Sequence, residues 1–332
     1  MSAEPGLPAD RHGELSSSEL ADSAGLRNLS LSRGEVDRST ARRTDAEWLA
    51  AAWADPGTRV LVVEDGQALI QTTTAGDGQA ELAFVSPRQA PDGVRFLLGV
   101  DADGVVYFGV AGPLPPPDGG EDPGSGTRPI SLRQAGPVLS DRDAGLMTEA
   151  VALGNWHSTH THCPRDGAVT EPILAGHARR CVTDGSEHFP RLDPAVIMLV
   201  TDPDDRCLLA RNAMWPQRRV SILAGFVEPG ESAEQAVARE VREETGITVA
   251  DARYVGSQPW PMPHSLMLGF RARATGSLEI TVDSDEIVEA RWFSRDELRA
   301  SIASGEIRLP PPVSIAHRII ESWYGSHLDG AW

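Results

Sequence analysis

The sequence predicts an α/β protein built from two mixed domains in tandem, on three observations. The chain has 332 residues, more than one hydrophobic core usually organises. Short runs of alternating Val, Leu and Phe, bounded by Gly and Asp turns, recur along it and mark strands. Helical segments are interleaved with those runs, so neither half is all-β.

Residues 1–43 are rich in Ser, Ala, Asp, Glu and Arg and lack an apolar h-region. They read as a disordered tail and not as a secretory signal. The first domain, residues 44–156, opens on a short helix, Asp45–Trp53. Strands are expected at Arg59–Val63, Glu81–Val85, Arg95–Val100 and Val105–Val110. A Pro- and Gly-rich loop, Gly112–Gly126, interrupts it, and a helix from Asp141 to Trp156 closes it. Residues 157–190 are dense in His and Cys. The second domain, residues 191–332, begins after the Pro190–Asp193 turn. Its expected strands are Ala195–Thr201, Cys207–Arg211, Val220–Leu223, Glu279–Val282 and Ala290–Phe293. Its expected helices are Ser232–Thr245 and Ser314–Trp323.

The net charge is −18, from 48 acidic and 30 basic residues, which opposes non-specific binding to nucleic acid or to an anionic membrane. No run of about 18 apolar residues is present, so no membrane span is predicted. Three cysteines cannot build a disulfide framework, and a reducing cytoplasm is the expected compartment.

The chemistry concentrates between Gly225 and Ile247. Pro229-Gly230 makes a turn, and Ser232 can cap a helix with Gln235 completing a capping box. Gly246 supplies the stop. Ala233, Val237 and Val241 form an apolar stripe on that helix. Glu240, Glu243 and Glu244 fall within an arc of about 100° beside it. Three carboxylates so close repel one another and are costly to desolvate unless cations neutralise them. Hard oxygen donors suit Mg²⁺ or Mn²⁺. Arg239 can pair with Glu243 one turn away. An acidic helix face alone is usually only solvated; here strand, Gly-rich turn, capped helix and terminal Gly occur together.

That combination resembles the Nudix hydrolase signature at Gly225, Glu231, Arg239, Glu240, Val241, Glu243, Glu244, Gly246 and Ile247, over 23 residues without a gap. The resemblance implies an α/β/α sandwich with a mixed sheet, and hydrolysis of a nucleoside diphosphate linked to another moiety. It implies Glu240 and Glu244 as the chief metal ligands and Glu243 as a ligand or base, with Glu231 and Arg239 in the same catalytic set. The Ala224 carbonyl and Glu286 would be further ligands, with Glu289 a near neighbour of the latter.

Downstream, Ser257-Gln-Pro-Trp-Pro-Met-Pro-His-Ser265 is similar to the motif that separates NADH pyrophosphatases from other Nudix proteins. Met262 departs from it, standing where Phe is usual. The segment reads as a loop stiffened by Pro259, Pro261 and Pro263, in which Trp260 offers a flat apolar face and Gln258 and Ser265 can hydrogen-bond a ribose or an amide. The resemblance makes Gln258, Pro259, Trp260, Pro261, Met262, Pro263, His264 and Ser265 candidates to contact substrate. Phe189 and Phe226 stand where relatives stack aromatic rings on substrate, and Ala316 where a backbone contact is expected.

The family's four-cysteine zinc ribbon is degenerate here. Cys163 and Cys181 remain as candidate ligands, while Asp166 and Asp184 occupy the partner positions. Structural zinc favours Cys and His, so zinc is not expected, and Asp166-Gly167 and Asp184-Gly185 also read as ordinary turns.

The expected reaction is hydrolysis of NADH to the reduced mononucleotide and AMP. NAD⁺ and the NAD cap of RNA are related substrates, and Arg179-Arg180, Arg191 and Arg218-Arg219 are candidates for an RNA groove. The competing readings are a broader dinucleotide pyrophosphatase and a non-catalytic nucleotide sensor, although a sensor would be expected to lose its carboxylates. The resemblance also implies a homodimer.

Overall fold

The computed structural model describes residues 25–26, 29–72, 80–118, 126–282 and 285–329. Parts of the expected tail (1–24 and 27–28) and of the Gly112–Gly126 loop lie outside these. Residues 29–43, however, do not behave as a tail. Leu29 and Leu31 are buried, in two different cores, and Arg33 bonds Asp141 and the Gly136 and Leu139 carbonyls. Two leucines in a polar stretch are too few for periodicity to register, yet enough to anchor it.

The first domain opens on helix α1 (Ala46–Ala54), capped by Asp45, which accepts the Trp48 N–H. Six strands follow: β1 (Arg59–Glu64), β2 (Gln67–Thr72), β3 (Ala80–Leu82), β4 (Val94–Val100), β5 (Val106–Ala111) and β6 (Thr127–Ser131). They form one sheet in the order β3-β2-β1-β5-β4, with β6 on β2. Val60 to Val63 in β1 are all buried, because the sheet is covered on both faces. Helix α2 (Asp141–Thr159), capped by Ser140, sends Leu146, Met147, Ala150 and Val151 into the main core.

A three-stranded ribbon follows, β7 (Thr170–Ile173), β8 (Ala178–Cys181) and β9 (Glu187–His188). It is tied to the first domain by two imidazoles, one buried and one half-buried. His157 Nε2 lies 2.8 Å from the Gly176 carbonyl, and His177 Nε2 lies 2.7 Å from that of Leu97.

The second domain is a mixed sheet between helices. Its elements are β10 (Asp193–Thr201), β11 (Cys207–Asn212), β12 (Leu223–Phe226), α3 (Ala233–Thr245), β13 (Thr248–Trp260), β14 (Ser265–Thr275), β15 (Ile287–Phe293), α4 (Arg295–Ala303) and α5 (Ile315–Tyr324). The order is β13-β14-β10-β11-β15, with β12 on β10. Central β10 alternates: Val196, Met198 and Val200 pack toward α3, while Ile197 and Leu199 pack toward α5. Period-2 side chains on a sheet covered twice give a continuous apolar run. The expected α/β/α sandwich is therefore present. In both domains the first strand pairs in parallel with a later one, β1 with β5 and β10 with β14, the remaining pairs being antiparallel.

Three expectations are corrected. The Pro-rich segment is no free loop: it is the tip of the β13–β14 hairpin, with Trp260 paired to Ser265 and Pro259 to Leu266. Because β13 is an edge strand, a proline without an N–H is tolerated there. Glu279–Val282 forms no strand; Leu278, Ile280 and Val282 pack against the α3-side core and so imitate strand alternation. The strand expected at Val220–Leu223 lies three residues later, at β12. Helix α4, capped by Ser294 and Glu297, was not expected.

Candidate active site

Helix α3 carries the site, and its start is fixed by the capping box: Ser232 accepts the Gln235 N–H and the Gln235 side chain returns a bond to the Ser232 N–H. Gly246 ends the helix at φ 72°, the left-handed conformation glycine adopts freely. With Ala236, Val237 and Val241 in the core, the three glutamates are graded by depth. The side chain of Glu243 is 59% exposed and that of Glu240 13%, while residue Glu244 is 5% exposed.

Arg239 organises them. Its Nη1 donates to Glu240 Oε1 at 2.8 Å and to Glu243 Oε2 at 2.9 Å. Its Nε and Nη2 grip Glu231 at 3.1 and 2.6 Å, and Nη2 also reaches the Phe226 carbonyl at 2.9 Å. The guanidinium holds Glu231 below the usual carboxylate range, and the carboxylates in turn raise the pKa of Arg239. Glu231 further accepts the Glu228 N–H at 2.8 Å, locking the turn before the helix. Arg239 and Glu231 are thus committed to each other and to the loop.

Glu244 is the opposite case. Its Oε2 is buried with no hydrogen-bond partner. Burial, then the charges of Glu240, Glu286 and Glu243, push its pKa up to about 8. Burial also raises Glu240, against the pull of Arg239. Glu286, just before β15, belongs to this charge cluster, whereas neighbouring Glu289 pairs with Arg211 at 3.7 Å. An all-oxygen donor set around an unpartnered buried carboxylate fits a hard dication. Gly225 completes the cradle, since a Cβ there would overlap the Glu240 carboxylate.

A cavity of about 380 Å³ runs from Ala224, the chain neighbour of Gly225, to Ala316 and is walled by Trp260, Trp215, Arg219 and Arg133. The Arg133 guanidinium sits 5.3 Å over the Trp260 ring, so the first domain contributes a wall. Trp215 and Arg133 escaped the sequence reading; a lone Trp before Pro216 and a lone Arg carry no spacing that marks them. Ala316 is buried and donates its N–H to Ser314 Oγ at 3.2 Å.

The other sequence-predicted residues divide. Gln258 is fully buried: its amide donates to the Val313 carbonyl at 2.9 Å and accepts the Leu31 N–H at 3.3 Å, so both ends are used within the protein. Met262 packs against the first-domain core, and the Pro261 carbonyl accepts from Asn155 at 2.8 Å. Pro263 follows a cis peptide bond. His264 Nδ1 lies 2.9 Å from Asp193 Oδ2. Ser265 opens β14 opposite Asp193. Phe189 and Phe226 are exposed, at 62% and 59%.

In the ribbon, ligand atoms of Cys163, Asp166, Cys181 and Asp184 all lie within 4.8 Å of one another. Backbone N–H groups of Arg165, Thr183 and Asp184 point at the two sulfurs at 3.4 to 3.5 Å. Bonds to Ser186 hold Asp184 down to about 2, ionised at neutral pH.

Comparison with known proteins adds the family. The NUDIX domain profile matches residues 191–311. The NAD-capped RNA hydrolase NudC of Mycobacterium bovis is 44% identical over 303 residues, covering 88% of this chain and 94% of that one. This chain is a Nudix hydrolase of the NADH pyrophosphatase family. Beside the Nudix domain itself, the NADH pyrophosphatase zinc ribbon domain matches residues 158–189 and the NADH pyrophosphatase-like rudimentary NUDIX domain residues 57–156. The Mycobacterium tuberculosis NudC has the same identity and coverage. The human NAD-capped RNA hydrolase NUDT12 is 41% identical over 197 residues, 56% of this chain and 42% of its own. The rudimentary Nudix match agrees with the shared parallel strand pair of the two domains. The expectation that zinc is absent finds no support: the ribbon belongs to a zinc-ribbon family, and two thiols and two carboxylates converge in it.

Proposed function

We propose that this Nudix enzyme hydrolyses the pyrophosphate of NADH to reduced nicotinamide mononucleotide and AMP. NAD⁺ and the NAD cap of RNA are further substrates of the same site, the latter leaving 5′-monophosphate RNA. The observation that carries this reading is the buried, unpartnered carboxylate of Glu244 within the Glu240, Glu243 and Glu286 cluster, in a domain whose cavity at Ala224 has two tryptophans in its wall. The names of the relatives support the substrate class.

Glu240, Glu244 and Glu286, with Glu243 and the Ala224 carbonyl, would hold Mg²⁺ or Mn²⁺. Bound cations of this kind neutralise a pyrophosphate and make water a nucleophile near neutral pH. The protein's own part is positional. Arg239 fixes Glu240 and Glu243 in one geometry, so little reorganisation remains at the moment of reaction. Trp260 and Trp215 offer faces for a nicotinamide or adenine ring, and Arg219 and Arg133 bring positive charge to the cavity that must accept two phosphates. Glu243, the most exposed of the three clustered glutamates, is placed to take a proton from water. We further propose residues 44–156, 157–190 and 191–332 as the functional domains, zinc in the ribbon, a homodimer and a cytoplasmic location. No helix among the described residues is long and apolar enough to cross a membrane.

The decisive test is AMP release from NADH with Mg²⁺ or Mn²⁺, beside Glu244→Gln. Release by the wild type and its collapse in the variant support the reading; no AMP from folded wild type with either metal defeats it.

A further inference from the structure

Away from the carboxylate cluster, α5 and the chain just beyond it bring two imidazoles and a carboxylate together. His317 and Glu321 are one turn apart on α5, and His327 returns to them after the Gly325 helix stop. Their ligand atoms all lie within 4.8 Å of one another. His317 Nε2 is 3.2 Å and His327 Nδ1 is 2.6 Å from the same oxygen, Glu321 Oε1.

The orientation of His317 is the telling feature. The residue is 1% exposed, and its Nδ1 lies 2.7 Å from the Pro310 carbonyl. A carbonyl oxygen only accepts, so Nδ1 carries the proton, and in the neutral ring the Nε2 lone pair is left facing Glu321. Nε2 is buried and makes no hydrogen bond, although a carboxylate oxygen is 3.2 Å away. Two acceptors confronting each other in the interior are reconciled by a proton on Nε2 or by a metal cation between them, and the second imidazole on the same oxygen favours the metal. An imidazole whose far nitrogen donates to a backbone carbonyl is the arrangement that aims a metal ligand. His327 shows a looser version, with Nε2 3.8 Å from Asp329 Oδ1. Glu321 is itself fixed: Oε2 accepts from Arg318 at 2.8 Å, and Oε1 accepts the Leu328 N–H at 3.0 Å.

We propose that His317 Nε2, Glu321 Oε1 and His327 Nδ1 bind a transition-metal dication of the zinc type, at a site separate from the α3 carboxylates and from the cysteine ribbon. Two imidazoles and one carboxylate suit Zn²⁺, Co²⁺ or Ni²⁺ better than Mg²⁺, and a fourth position is left for water. The ion staples residues 325–328 onto α5, the helix that begins at Ile315 and Ala316 in the wall of the substrate cavity.

The test uses the full chain, stripped with a chelator and titrated with Co²⁺ under saturating Mg²⁺, beside His327→Ala. His327 is exposed, so its removal leaves the core intact. Cobalt on ribbon thiolates gives intense ligand-to-metal absorption, whereas a His and carboxylate site gives only weak visible bands, so the two are read separately. The wild type is expected to take up one equivalent without thiolate absorption that His327→Ala lacks. Zn²⁺ should displace that equivalent and raise the melting temperature of the wild type more than that of the variant. Equal cobalt uptake and equal zinc shifts in the two proteins would overturn the proposal and leave the trio as a protonated His317 ion-paired with Glu321.

Discussion

Gly225 lies against Glu240 so closely that a methyl group on its Cα would occupy the space of the carboxylate. The glycine is therefore required by its neighbour, not by its own backbone, whose φ is not among the positive ones. Gly225→Ala is expected to lower kcat for AMP release by about 100-fold, the scale on which a displacement of roughly 1 Å matters to catalysis. Substrate KM should change far less, since the cavity walls are untouched. Activity within a factor of a few of wild type would mean that the Glu240 position is not critical.

Arg239 bonds three carboxylates and one carbonyl, so its removal frees Glu240, Glu243 and Glu231 together. Arg239→Ala should raise the Mg²⁺ concentration for half-maximal rate and lower kcat by about 10–100-fold, as for loss of a group that orients metal ligands. Arg239→Lys should recover little, because one ammonium cannot reproduce a planar fork. Full recovery by lysine would reduce the role of Arg239 to bare charge.

How much of this was legible beforehand depends on range along the chain. The helix, its cap, its stop and the Arg239–Glu243 pair are local, within a few residues, and the sequence carries them directly. Glu286 reaches the cluster from 42 positions beyond Glu244, and only the family resemblance pointed to it. Trp215 and Arg133 meet Trp260 through tertiary folding alone. Gln258 looked like a substrate-reading amide because a free amide in a motif invites that reading. Its hydrogen-bond partners in the structure, Leu31 and Val313, lie 227 and 55 residues away. Leu278, Ile280 and Val282 show the converse failure, alternation that buries one face without pairing.

Because both ends of the Gln258 amide are bonded in the interior, its truncation should be felt in stability. Gln258→Ala leaves the Leu31 N–H and the Val313 carbonyl unpartnered, at a cost of about 1–3 kcal/mol. Urea denaturation should show that loss, while KM for NADH stays near the wild-type value at a temperature where the variant is folded. A large rise in KM without loss of stability would show that the amide serves substrate after all.

The raised pKa of Glu244 couples metal binding to pH. Below about 8 the metal-free carboxyl is largely protonated, and a dication must displace that proton to bind. Apparent Mg²⁺ affinity should therefore rise with pH by up to tenfold per unit and level off above about 8, with proton release measurable by calorimetry in buffers of different ionisation heat. Stability of the metal-free protein runs the other way. The folded pKa lies above the unfolded one, so the protonated form favours folding, and that contribution fades as pH rises from about 4.5 through about 8. In Glu244→Gln both dependences should flatten. Mg²⁺ affinity that does not vary with pH in the wild type would show that Glu244 is already ionised before metal arrives.

His157 and His177 set the acid limit of the junction between ribbon and first domain. Burial drives each to about 4. Both nitrogens of His157 are used, Nε2 on the Gly176 carbonyl and Nδ1 near Arg179 Nη1 at 2.9 Å, so the neutral ring accepts from the guanidinium. An unfolded histidine takes up its proton near 6.5, whereas these two resist until about 4. The unfolded chain thus binds more protons throughout that window, and stability falls as pH drops through it, by on the order of 2–3 kcal/mol per histidine. Above roughly 6.5 neither group contributes a pH dependence. His177→Gln, which can keep a donor toward the Leu97 carbonyl, should lower stability at pH 7 and reduce the loss between pH 7 and pH 5 measured by thermal melting. An unchanged acid profile in that variant would mean that His177 protonates freely in the folded state and that its burial does not govern the acid response.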